Sequence, residues 1–491
     1  MKMSLSKVVI LVSLILTTTA CAQQEGLSFN FFGGGARSEG MGQAFIAVSN
    51  DGTAGGWNPA GLYIHEQTLM TFSYGFLLPR GKYDYYNEGS LLTSLDHSGD
   101  YGSINCWNLV SPIRIKNHHF VFGLSYTRNF DTYNKFAENL LYERLGYGPE
   151  PNATYDRHGG INTISLSLGT RVYEQFSMGL SGNIYVGKAV TEESRYLRAV
   201  DSTDANDPVY YRSNINVVDS TAYSGFNLTF GLLYSSESFR AGLTFKSPFN
   251  LKGESDSTMT WISTYGTEGK SSPYNGENPD YGMFVTQTVF VDNMTSKTEI
   301  PMIIGTGFAF NIKENWLLST DIEYRGFSGN MIKHLDSLLL TAGGETIEFF
   351  SDFDPNWSNV WQFRIGTEYL FDTPVGIIPL RLGYRNESLP EGNISNVDVI
   401  FRGDKETSEA SDDPGDSTRT FYSFTYDQNK ISGFSMAFGT GFHWEQVQLD
   451  IAYTYSKYDQ EIYEVIDDES VFKGKNNWKN HHLNLTFTGY F

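Results

Sequence analysis

The sequence predicts an all-β fold: a transmembrane antiparallel β-barrel of about 14 strands, its lumen plugged by an N-terminal hatch. Three observations predict it. Apolar and polar residues alternate with period two through most of the chain, short and long connections alternate between those stretches, and residues 27–62 do neither.

Composition sets the frame. Hydrophobic residues are only 40%, yet aromatics reach 15%, Gly numbers 49 and Pro only 15. A polar average rich in rings suits strands with one face to lipid and one to water.

The chain opens as an export signal. Lys2 and Lys7 precede the apolar run Val8 to Leu16, which is too short to span a bilayer, and Ala20-Cys21-Ala22 offers a small-x-small cleavage site. Residues 1–22 are therefore expected to be a signal peptide. Lipid attachment at Cys21 is the alternative, although Thr18 stands where such sites usually carry Leu. After cleavage Cys106 is left alone and reads as a small strand residue. No later run is apolar enough for a transmembrane helix. The net charge of −21 becomes −23 without Lys2 and Lys7, which argues against nucleic-acid binding and against a polybasic membrane-surface protein.

Residues 23–65 form the expected hatch. Phe29, Phe31 and Phe32 precede Gly33-Gly34-Gly35, which lacks the following Gly-Lys-Ser/Thr of a phosphate cradle. In Asn58-Pro59-Ala60, Asn can cap a short turn whose first position tolerates Pro.

The barrel is expected over 66–491. In 226–234, Phe226, Leu228, Phe230, Leu232 and Tyr234 oppose Asn227, Thr229, Gly231 and Leu233; in 361–371, Trp361, Phe363, Ile365, Tyr369 and Phe371 oppose Gln362, Arg364, Gly366 and Glu368. Strands are expected near 66–77, 101–113, 117–130, 160–172, 175–188, 222–235, 237–250, 299–310, 314–328, 359–371, 376–388, 431–444, 446–459 and 478–491. Tight connections (114–116, 173–174, 236, 311–313, 372–375, 445) alternate with long links (78–100, 131–159, 189–221, 251–298, 329–358, 389–430, 460–477). A soluble sandwich has no reason to alternate so strictly. The last strand faces one way with Leu483, Leu485, Phe487 and Phe491, and its terminal Phe resembles the signal read by the outer-membrane insertion machinery.

Inward charges are expected at Arg240, Lys246, Asp321, Glu323, Arg325, Arg364, Glu368, Arg381, Arg385, Glu387 and Asp450, paired with each other and the plug, with recognition of a ligand carboxylate as the alternative. The acidic stretch 404–419 reads as a solvated loop, without the spacing of a calcium site. The histidine pairs His118-His119 and His481-His482 are expected at opposite barrel ends, and no Gly-x-Ser-x-Gly or His-Glu-x-x-His occurs. Neither an enzyme, a metal nor a cofactor is expected.

The run Ala36 to Val48 (Ala-Arg-Ser-Glu-Gly-Met-Gly-Gln-Ala-Phe-Ile-Ala-Val), then Asp51 and Asn58-Pro59-Ala60-Gly61-Leu62, resembles the hatch of the FadL/TodX family of outer-membrane channels for long-chain fatty acids and aromatic hydrocarbons. Ile300-Pro301 and Arg381-Leu382-Gly383-Tyr384-Arg385 are similar too. The resemblance spans the mature chain, strongest in the hatch and weakest in the loops. It implies fourteen strands and passive uptake of hydrophobic small molecules through capture at the loops, a lumen pocket and hatch movement. It also implies a monomer surrounded by membrane lipid and outer-leaflet lipopolysaccharide. Hatch positions carried over are Gly40, Gly42, Asn58, Pro59, Ala60, Gly61 and Leu62. Phe29, Phe31 and Phe32 either line the inner end of the pocket or anchor the plug. A helix over 136–145, presenting Phe136, Leu140, Leu141 and Leu145, would form a capture groove, although the family's groove uses later loops. The second reading is a PorV-like carrier for secreted proteins in type IX secretion, which Trp57 and Gly40-Met41-Gly42 also fit.

Overall fold

The computed structural model describes residues 34–87, 90–116, 118–138, 153–201, 209–267, 285–330, 332–334, 338–342, 345–349, 357–402, 419–467 and 470–491. Fourteen antiparallel wall strands run in chain order: β1 (Leu69–Asn87), β2 (Tyr101–Ile115), β3 (His118–Asp131), β4 (Ala153–Tyr173), β5 (Phe176–Asp201) and β6 (Val209–Ser235) come first. Next is β7, in two parts (Phe239–Lys246 and Phe249–Thr267), then β8, also in two (Val285–Ile300 and Ile303–Lys313), and β9 (Trp316–Arg325). The wall ends with β10 (Val360–Thr373), β11 (Gly376–Arg402), β12 (Arg419–His443), β13 (Val447–Asp467) and β14 (Ser470–Tyr490). Each pairs with the next, and β14 returns to β1 from Leu69↔Tyr490 to Asn87↔Phe472, so the wall closes into a ring.

Closure assigns the two faces. Phe226, Trp361, Phe363 and Phe487 are 40–56% exposed on the outside, while their alternates Asn227, Gln362, Arg364 and Thr486 are buried. Apolar side chains out and polar ones in is the reverse of a sandwich core. Aromatic side chains gather on the outer face at the tight-turn end: Phe176, Tyr234, Phe239 and Phe310 on one side, Trp316, Tyr369, Phe371, Phe442 and Trp444 further round. That is the interfacial girdle of a membrane barrel.

Several expectations need correction. Much of the length assigned to long links is strand: β5 and β6 stay paired out to Asp201↔Val209, and β13 and β14 out to Asp467↔Ser470. Beyond the membrane the outer face is polar too, as at Glu192 against inward Thr191 and Glu193, so pairing continues without the apolar-out alternation that reveals it. His481-His482 therefore does not begin a strand but lies inside β14, which starts at Ser470. The helix expected from Phe136 is contradicted too, because Asn134–Glu138 is a strand paired with β4, Phe136 facing Tyr155. Leu140, Leu141 and Leu145 lie outside the described residues, as do Phe29, Phe31, Phe32 and nearly all of the acidic stretch.

The strands expected over 237–250 and 299–310 are each interrupted, at Ser247-Pro248 and Pro301-Met302. Proline lacks the N–H a ladder needs. The insertion also switches the inward parity, from Gly242 and Thr244 to Leu251 on β7, and from Thr298 to Ile303 and Gly305 on β8. The breaks face one another, Lys246↔Ile303 on one side and Phe249↔Ile300 on the other, so the register resumes.

Candidate functional site

Inside the wall lies the segment 34–66, with helix α1 (Ala36–Gly40), helix α2 (Ala54–Trp57) and a 3-10 turn at Pro59–Ile64. Asn58 caps that turn: its Oδ1 accepts from the Ala60 N–H at 3.1 Å, and Pro59 stands at the first position. The same amide donates through Nδ2 to the Ile46 carbonyl (3.0 Å) and to Leu232 of β6 (3.1 Å), tying plug to wall.

The segment touches wall backbone nearly all the way round. A Cβ on Gly366 would lie 2.1 Å from the Met41 carbonyl oxygen, on Gly383 1.9 Å from the Gly42 nitrogen, and on Gly179 2.3 Å from the Pro59 carbonyl carbon. Within the plug, one on Gly61 would lie 1.8 Å from the Ser49 oxygen, and Gly42 (φ 61°) sits in the left-handed region that suits glycine. Ala60 is fully buried, and Leu62 packs with Leu69, Val110 and Val121 of the wall.

Charge completes the seat. Glu368 of β10 accepts two hydrogen bonds from Arg37 (2.9 and 2.8 Å) and one from Arg381 of β11 (2.6 Å), and Arg381 also reaches Asp450 of β13 at 2.6 Å. Asp321 of β9 accepts from the Phe45 and Ile46 N–H groups at 2.7 and 3.0 Å. Glu39 lies 3.1 Å from His482 of β14 and accepts from Asn484 (2.7 Å) and Asn105 (3.0 Å). Burial opposes ionisation of Glu39, but the His482 charge and these donors outweigh it and hold its carboxyl below the usual range. Burial likewise opposes the Arg37 charge, and the Glu368 carboxylate overrides it, holding Arg37 above its ordinary value. Burial pushes the His65 imidazole down; its ring contacts the Asp51 carbonyl at 3.2 Å.

Toward the loops the lumen changes character. A polar layer comes first, with Arg364 3.1 Å from Glu323, Arg325 2.7 Å from Glu323, and Gln362 accepting from both arginines. Above it, Phe130, Ile161, Tyr185, Leu251, Ile300, Ile303, Phe327, Trp357 and Val360 form one buried apolar cluster reaching from β3 to β10. Tyr185 stacks on Phe249 at 4.4 Å, and Phe327 meets Trp357 edge-on at 5.6 Å. Sequence reading missed this belt. Its signal was weak: apolar residues at inward positions, several beside the strand interruptions where parity changes.

The inward charges expected from sequence thus meet one another or the plug at Asp321, Glu323, Arg325, Arg364, Glu368, Arg381 and Asp450, and Arg385 pairs with Glu387. Arg240 reaches the Val48 carbonyl at 3.4 Å. His119 meets the plug at the His65 carbonyl (3.1 Å), away from the Glu39–His482 pair.

Residues 24–405 match the family model described as outer membrane protein transport protein (OMPP1/FadL/TodX). No curated protein matches the sequence. Solved structures similar to the chain include a Pseudomonas aeruginosa FadL homologue, 15% identical with a TM-score of 0.56, covering 94% of this chain and 99% of that one. The P. putida toluene transporter TodX is 12% identical with a TM-score of 0.56 over 94% and 99%. The Ralstonia pickettii toluene transporter TbuX is 12% identical with a TM-score of 0.54 over 94% and 100%. At such identities the likeness is one of fold.

Proposed function

The chain belongs to the OMPP1/FadL/TodX family of outer-membrane transport proteins, and from that premise we propose that it takes up long-chain fatty acids or comparable apolar molecules passively. The observation that carries the proposal is the apolar belt. On the loop side of the polar layer, buried Phe130, Tyr185, Phe327 and Trp357 offer a hydrophobic solute a place to leave water. An outer leaflet of polysaccharide-bearing lipid slows apolar solutes, so a protein path into the lumen helps without any energy source.

In this reading residues 1–22 are a cleaved signal peptide and 23–65 act as a hatch. The solute is captured at the loops and descends to the belt. Phe29, Phe31 and Phe32 line the inner end. Wall glycines meet plug backbone at Gly179, Gly366 and Gly383, and in this reading the solute passes when part of the hatch moves or by a sideways route through the wall into the membrane. Neighbours described as toluene transporters favour an apolar cargo over the protein-carrier alternative.

The test is a deletion strain supplied with limiting labelled oleate or toluene. A several-fold loss of uptake with an unchanged secretome is expected. Normal uptake with lost secretion would instead establish the carrier.

A further inference from the structure

On the outer face of β13, β14 and β1, side chains stand in registered rows. Moving from the tight turns toward the loops, the rows read Leu449–Phe487–Phe72, Ile451–Leu485–Tyr74, Tyr453–Leu483–Phe76 and Tyr455–His481–Leu78. The next row is Lys457–Lys479–Arg80, three cations directly opposite one another on adjacent strands.

The height of that row is informative. From Met70 to Arg80 is about 33 Å of strand at ~3.3 Å per residue, and about 25 Å along the membrane normal at a tilt near 40°, the height of an outward apolar band. The cations therefore stand where hydrocarbon gives way to headgroups on the loop side. Their spacing, ~4.8 Å between strands, puts the three Cα atoms within about 10 Å.

Like charges directly opposite across a ladder are destabilising, and the chain around them carries a net −21. The available acids relieve this weakly. Arg80 reaches Asp100 at 2.9 Å and Lys457 reaches Asp459 at 3.0 Å, but those carboxylates are 71% and 44% exposed. Asp459 also lies one row further from the membrane, and Asp84, which pairs with Lys82, lies two rows further. Lys479, in the middle, is exposed and has no ion-pair partner among the described residues.

We propose that Lys457, Lys479 and Arg80 dock the phosphate group of an outer-leaflet lipid, with its acyl chains lying on the apolar rows below. Charge complementarity selects the headgroup, since a phosphate accepts from Lys and from the Arg fork together. The Tyr453–Tyr455–His481 cluster lies directly beneath it, where rings stand at the headgroup boundary; the Tyr453 hydroxyl and His481 Nδ1 are 2.7 Å apart.

The test uses the full-length folded barrel in detergent, with lipid A retention read by native mass spectrometry and folding checked by heat-modifiable gel mobility. Lys479→Gln is expected to weaken retention about fivefold, and Lys457→Gln/Lys479→Gln/Arg80→Gln by more than ~25-fold, given the usual gain per cation near a charged leaflet. Arg114→Gln/Lys116→Gln/Lys313→Gln removes as much charge at the tight-turn end and is expected to leave retention unchanged. Dephosphorylated lipid A should bind the wild type no better than lipid A binds the outer triple variant, and millimolar inorganic phosphate should not displace the lipid. Equal retention by the wild type and the outer triple variant, or by both forms of the lipid, would overturn the site. Displacement by free phosphate would overturn the lipid as its occupant.

Discussion

Around residues 36–66 the lumen is filled backbone against backbone, whereas a few residues higher on the same strands it is lined by aromatic and branched side chains. The floor is held by wall glycines and shared ion pairs, as at Gly366, Gly383 and Glu368. The belt is held by apolar contact, as between Phe327 and Trp357. One level is built from groups that tolerate almost no change of shape or charge, the other from groups that adapt to a guest. Glycine removes the side chain from the wall so that plug and wall amides can meet; an aromatic belt offers area and no fixed geometry.

The largest effect expected from breaking this contrast is at a floor glycine. Gly383→Val places atoms where the Gly42 backbone stands, and the plug should fail to seat, at a loss of about 3 kcal/mol or more. Single-channel recording should then show a persistently conducting barrel. A variant that stays closed would mean the floor yields more readily than its contacts imply.

Glu368→Gln comes next, because Arg37 and Arg381 would be left sharing a neutral partner. Arg381 keeps Asp450 and Arg37 keeps Asn50, so the loss is that of charged hydrogen bonds, about 2 kcal/mol, and hydrogen exchange of plug amides should rise accordingly; unchanged exchange would make the ion pairs ornamental. At the belt, Trp357→Ala should leave plug exchange as it was and lower uptake at limiting solute roughly tenfold, the loss expected for one large apolar contact. Equal effects on plug and uptake would erase the distinction between the levels.

The smallest effect is of pH. His65 has a lowered folded value, so its contribution is full above about 6.5 and declines as pH falls below that. Glu39, also lowered, contributes fully above its ordinary value near ~4.3, and that contribution is lost as pH falls through its folded value. Acidification from pH 7 to 5 should therefore raise amide exchange a few-fold locally, around His65 and Asp51, an increase that His65→Asn should abolish.

Strand number and orientation were legible in the sequence because a strand between lipid and water must alternate, and Phe226 to Tyr234 or Trp361 to Phe371 do so plainly. The six tight turns were legible for the same reason, since each falls where alternation restarts. The Asn58 cap was readable as well, being a local matter of one side chain and a following proline.

Other features depended on strands far apart in the chain. Past the membrane edge the outer face no longer needs apolar residues, so β5 beyond residue 190 places Thr191 and Glu193 inward against Glu192 outward and loses the pattern that marks a membrane strand. The belt gathers Phe130 and Val360, and the cation row gathers Arg80 and Lys479, across hundreds of residues. Composition and period fix which way a side chain points on its own strand. Only closure of the ring, which sets register between strands, decides which side chains become neighbours.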